Sequence, residues 1–107
     1  MSTSDVGAGA NRIEFDGTLV ASEGLRFTPA GVAVVDAVLG HRSIQREAGA
    51  ERRVEFDLPV RFAGEAAHQM AKLPLGCPVR VHGFLAPRRR QSRQLVLHVN
   101  AFELIEV

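Results

Sequence analysis

Four of the seven residues in 87–93 are arginines (Arg88, Arg89, Arg90 and Arg93), with no acid among them, in a chain whose formal net charge is only +1. A guanidinium keeps its charge at any physiological pH and presents a planar fork of donors that matches phosphate. Such a density of fixed positive charge suits an anionic polymer far better than it suits packing. The bland reading is a charged loop that keeps a strand edge soluble. Lysines alternating with glutamates would serve that purpose as well, and here no carboxylate interrupts the run. Arg26 and Arg42 fall at strand ends, where pairing with a nearby carboxylate competes with ligand contact. Arg52 and Arg53 have Glu47, Glu51 and Glu55 close in sequence, so local ion pairing is the expectation for them.

Other residue types that could do chemistry are sparse. Phe84 alternates opposite its apolar neighbours and lies a few residues before the arginines. It is the candidate for base stacking, which is worth about 1–3 kcal/mol per base; the alternative is a barrel-bottom or dimer contact. Phe27, beside Arg26, is a weaker candidate of the same kind. Phe15, Phe56 and Phe102 fall on apolar faces and are expected in the core. His82 and His98 could face one another on paired strands, but no further ligand joins them at a spacing zinc would use. Cys77 precedes a proline with no base placed to activate it. No glycine-rich phosphate loop, paired carboxylates at helical spacing or Ser–His–Asp order is present, so no enzyme, cofactor or metal is expected.

These residues need a scaffold, and 107 residues with 46% hydrophobic content allow one domain with a modest core. The polar start lacks the basic opening and apolar run of a secretory signal. No window approaches the roughly 18 apolar residues of a membrane helix. A single cysteine excludes an intrachain disulfide and fits a reducing compartment. The expectation is a soluble, cytoplasmic protein with no membrane contact.

Residues 1–10 lack periodicity and read as a disordered tail, leaving 11–107 as the domain. Ile13, Phe15, Gly17, Leu19 and Ala21 alternate with polar positions, which predicts a half-buried first strand with a glycine at a bend. A turn at 28–31 precedes a β-branched second strand that runs on through His41, Arg42 and Ile44. A hairpin tip at 47–51 leads to the alternation of Val54, Phe56, Leu58 and Val60. Pro59 cannot donate a ladder hydrogen bond, so that strand should end there or lie at an edge. Ala67, Met70, Ala71 and Leu73 suit one short helical face within 64–73. Val79, Val81, Gly83 and Leu85 form the fourth strand, and Leu95, Leu97 and Val99 the fifth, with the arginines at the tip between them. An all-β chain of five strands with a short helix between the third and fourth has the order of the OB-fold, a small Greek-key barrel used for oligonucleotides.

Several segments together resemble the primosomal replication protein N (PriB) family of bacterial replication restart: residues 11–13, 28–31, 40–49, 58–60, 79–84, and 95–98 leading to 102–105. The most specific part is 41–49, with His41, Arg42, Ser43, Gln45, Glu47, Ala48 and Gly49. The resemblance implies an OB-fold homodimer similar to half of a single-stranded DNA-binding protein tetramer, with the first strand near Ile13 and Phe15 as the interface. It implies a non-enzymatic role as well: holding single-stranded DNA and bridging the PriA helicase to later primosome proteins. The family's basic contacts fall on Arg26, Arg42, Arg88, Arg89, Arg90 and Arg93. The family tends to use lysine in that hairpin, and this version is shorter and all arginine. Where family members can carry aromatics in and after the second-to-third strand hairpin, this chain has Ala50 and Glu55. The competing function is an interaction adaptor whose basic OB surface binds acidic partner segments. An RNA-binding, cold-shock-like module would display several exposed aromatics on its middle strands.

Overall fold

Alternating apolar residues give each strand one face to bury, and five such strands bury theirs against each other by closing into a barrel. The computed structural model describes residues 8–106, so most of the tail expected over 1–10 lies outside the described residues. The elements are β1 (Ile13–Phe27), β2 (Ala33–Glu47), β3 (Ala50–Ala63), α1 (Glu65–Met70), β4 (Pro78–Pro87) and β5 (Leu95–Leu104). The strands close in the order β1-β2-β3-β5-β4, with β3 and β5 parallel and the other neighbours antiparallel. This is the five-stranded OB architecture with its short helix between β3 and β4. Leu19, Val35, Leu39, Val60, Phe62, Val79, Val81, Leu97 and Val99 fill the interior. The helix packs against β2, β3 and β5 and adds Ala66, Ala67 and Met70 to that core.

Two glycines carry the close approaches the sequence suggested. A Cβ on Gly83 would overlap the His98 carbonyl, where β5 bulges against β4. One on Gly17 would come within 3.0 Å of the Leu39 side chain. Just beyond Gly17, β1 changes partner: residues 13–18 pair with β4, and 18–27 with β2. The second edge of β1 over 13–17 therefore has no partner among the described residues. Past Gly40, β2 pairs with β3 alone, so these two strands leave the barrel as a hairpin arm. A two-residue turn at Ala48 and Gly49, both at positive φ, closes the arm.

Three expectations need correction, and of the two readings of Pro59 the edge is the one that holds. β3 does not end at Pro59 but continues to Ala63. Counted from the arm's turn, Pro59 opposes Val38 in a non-hydrogen-bonded pair, so its nitrogen points away from β2. On that side β5 begins to pair only at Val60, and the missing N–H costs nothing. The helix is shorter than its periodicity suggested, stopping at Met70, with Leu73 in the turn that follows. Phe56 is not core but 44% exposed, because by that position β2 and β3 have left the barrel and no opposite wall remains. Phe15 and Phe102 are only partly buried, packed against the core from its margin. Finally, His82 and His98 do not face one another. The bulge beside Gly83 sets His82 opposite Ala101 and Phe84 opposite His98.

Candidate nucleic-acid interface

The β4–β5 loop is built by backbone bonds, which leaves its side chains free. The Arg88 N–H donates to the Gln94 carbonyl at 2.8 Å, and the Ser92 N–H to the Arg89 carbonyl at 2.9 Å. The Gln94 N–H donates to the Ser92 hydroxyl at 3.0 Å. Arg88, Arg89, Arg90 and Arg93 are all exposed. Among the described residues none of them has a carboxylate within ion-pair distance. Arg88 helps line a groove of about 160 Å³, together with Glu23, Asp36, Pro59, Arg61 and His98.

Arg26 belongs to a network that reaches that groove through Asp36 and Arg61. Its Nη2 donates to Asp36 Oδ2 at 2.6 Å, while Arg61 donates through Nε to Oδ1 at 2.7 Å and through Nη2 to Oδ2 at 3.3 Å. Burial pushes the Asp36 carboxyl up, but the hydrogen bonds from Arg61 and Arg26 outweigh it and hold the group below its ordinary value. The same bond from Asp36 raises Arg61. Two guanidiniums share one carboxylate, so the cluster keeps a net positive charge. Arg42 lies on the arm, with its Nε 3.1 Å from Glu55 Oε2 and its side chain 82% exposed. An exposed pair of this kind contributes about 0–1 kcal/mol. Arg52 pairs with Glu47 at 2.8 Å, as its neighbours suggested. Arg53 has no carboxylate within ion-pair distance among the described residues.

Phe84 points outward at 37% exposure, and its ring stacks on His98 with centroids 5.1 Å apart and planes 6° apart. Burial, followed by the charge of Arg61, lowers the His98 pKa. Phe27 is 59% exposed, with its ring centroid 6.2 Å from that of His68. The loop, the Arg26 network and Phe84 thus share the outer surface near one groove, whereas Arg42 sits apart on the arm.

On another stretch of the surface, arginine has a structural job. Arg80 grips Asp16 with two bonds, at 2.7 and 2.9 Å, across β4 and β1. This fork holds the Asp16 carboxyl below its usual range. His82 contacts Glu103 at 2.8 Å. Between the first half of β1 and the arm, an open cleft of about 650 Å³ is flanked by Asp16, His41, Arg42, Glu55 and Phe56. The His41 ring lies 4.6 Å from Phe15 and 5.3 Å from Phe56. Its Nδ1 donates to the Asp16 carbonyl at 2.7 Å.

Asp36 and Arg61 were not singled out from the sequence, His98 was considered only as a metal ligand, and the meeting of Phe15, His41 and Phe56 was not foreseen. One signal was available: Asp36 interrupts the apolar run Val34, Val35, Ala37, Val38, and a carboxylate there demands a cationic partner.

Comparison with known proteins agrees with the fold and points to a family. A family model described as another single-strand binding protein family matches residues 11–101. The replication restart protein PriB of Nitrosomonas europaea is 37% identical over 95 residues, covering 89% of this chain and 88% of that one. A solved structure of priB from Ralstonia solanacearum aligns with a TM-score of 0.83 and 34% identity, covering 92% of this chain and 100% of the other. The single-stranded DNA binding protein from Thermus aquaticus aligns with a TM-score of 0.72 and 27% identity, over 92% of this chain and 51% of that one.

Proposed function

The chain belongs to the PriB family of replication restart proteins, and from that premise we propose that it binds single-stranded DNA with little base preference as an accessory protein of the restart primosome. Arg88, Arg89, Arg90 and Arg93 track the sugar-phosphate backbone. Arg26 and Arg42 extend the charged path, and Phe84 offers a stacking surface. The observation that carries this reading is the concentration of four exposed arginines in one loop, free of carboxylate partners among the described residues, with Arg88 lining the adjoining groove. OB barrels use the β2–β3 face and the loop between the fourth and fifth strands for oligonucleotides, and the groove and the arginines occupy those places.

The protein works as a homodimer, the assembly that its resemblance to the PriB family implies. The unpaired edge of β1 over residues 13–17 supports this, since pairing two such edges across a two-fold axis removes an exposed ladder. In the assembled primosome it bridges the PriA helicase to later components, in the cytoplasm and without a catalytic step of its own.

Fluorescence anisotropy with single- and double-stranded oligonucleotides tests the reading. Tighter binding of the single strand is the expected result. Equal affinity for both forms, or preference for an acidic peptide of similar charge, overturns it and favours a protein adaptor.

A further inference from the structure

One outward side chain from each strand forms a continuous row around the barrel, and each member meets the next. Phe84 on β4 stacks on His98 of β5. His98 lies opposite Arg61 of β3 in the parallel pairing. Arg61 is bonded to Asp36 of β2, and Asp36 to Arg26 of β1. With strands roughly 4.8 Å apart, the row spans about 19 Å. Its three middle members, His98, Arg61 and Asp36, line the groove that Arg88 also lines. We propose that this row is a second nucleic-acid subsite, in which a base of the single strand continues the Phe84–His98 stack and adjacent phosphates contact Arg61 and Arg26. This assignment rests on the single-stranded DNA reading above and extends it to residues that the arginine loop does not include.

Three features fit the row to a nucleotide. The aromatic end lies half open to solvent, with two parallel rings that already present a stacking geometry. The cationic end is held in place without being used up. Arg61 spends Nε and Nη2 on Asp36, and Arg26 spends Nη2. Each fork has five N–H donors, so both retain some for phosphate. Asp36 is therefore a positioning residue, which fixes two guanidiniums and leaves the cluster net positive. Glu23, also on the groove, repels phosphate and disfavours a backbone path beside it. At about 160 Å³ the groove is smaller than the roughly 300 Å³ of a typical small-molecule pocket. A polymer laid along a surface needs no deeper cavity.

The test compares three variants by anisotropy with oligo-dT over a salt series. Phe84→Leu keeps an apolar side chain but removes the aromatic face. It should weaken binding by about 5- to 100-fold with an unchanged salt slope. Arg61→Met leaves Asp36 paired with Arg26 and should flatten the slope by about 0.7. The loop variant Arg88→Gln, Arg89→Gln, Arg90→Gln serves as the reference. If both row variants bind within two-fold of wild type while the loop variant loses affinity, the row is refuted and the single-stranded DNA reading stands. If wild type itself ignores the oligonucleotide, both fail. Photocrosslinking of wild type to an iododeoxyuridine oligonucleotide needs no substitution. Adducts at Phe84 or His98 are expected, and adducts confined to the β2–β3 arm overturn the proposal.

Discussion

The arginines of the β4–β5 loop and those of the strands are the same residue in two electrostatic settings, unpaired in the loop and largely paired on the strands. On the strands, Arg80 is locked to Asp16, Arg61 and Arg26 to Asp36, Arg42 to Glu55 and Arg52 to Glu47. In the loop, Arg88, Arg89, Arg90 and Arg93 have only backbone bonds around them. A paired guanidinium fixes geometry and cancels its own far field. An unpaired one attracts phosphate and releases the counterions that phosphate carries. A net charge of +1 therefore conceals a dense cluster of unpaired positive charge in one loop, with Arg53 on the arm a further case among the described residues. Counting charges over the whole chain would miss this, and following each arginine to its nearest carboxylate finds it.

The largest expected effect follows from removing the unpaired set. Replacing Arg88, Arg89 and Arg90 with glutamine should weaken oligo-dT binding on the order of 100-fold at 0.1 M salt, similarly for different base sequences. Anisotropy titrations with two unrelated oligonucleotides check this, and a loss confined to one sequence would point to base readout instead. A smaller effect converts a paired arginine into an unpaired one. Glu55→Gln releases Arg42, and affinity should rise by about 5-fold if pairing is what silences an arginine. No change, or a loss, would mean that Arg42 takes no part in binding or needs Glu55 to hold it.

The third variant probes structure rather than ligand. Arg80→Met should leave DNA affinity and its salt dependence untouched but lower the thermal midpoint at neutral pH. Because Arg80 holds the Asp16 carboxyl below its unfolded value of 3.8, the stabilisation is complete above that pH and is lost as pH falls through the depressed value. Melting curves of the variant should therefore decline less steeply below pH 4 than those of wild type. The smallest effect concerns His98, whose pKa is pushed below its ordinary 6.5 by burial and by Arg61. Between that depressed value and 6.5 the unfolded chain binds more protons, so stability falls as pH drops through this window. His98→Gln should flatten that part of the stability profile, as measured by denaturant titration from pH 7 to 5.

The barrel was largely legible because period-two alternation reports directly on a half-buried strand. Val79, Val81, Leu97 and Val99 read as buried and are. The signal failed where a strand outruns its barrel. Phe56 keeps the alternation of Leu58 and Val60, yet it has no opposing wall, and the one-dimensional pattern does not record where a wall stops. The bulge beside Gly83 was equally hidden, and with it the meeting of Phe84 and His98. The loop arginines were visible as composition alone. The Arg26–Asp36–Arg61 network was not, because its members lie 10 and 25 residues apart and meet only through the strand pairing.

The most direct test of the central claim, that unpaired loop arginines capture the backbone by charge, is the slope of log affinity against log salt for wild type and the triple loop variant. With four to six phosphates neutralised, wild type should give roughly −3 to −4, and losing three contacts should flatten the variant's slope by about 2. Identical slopes for the two proteins would contradict the claim.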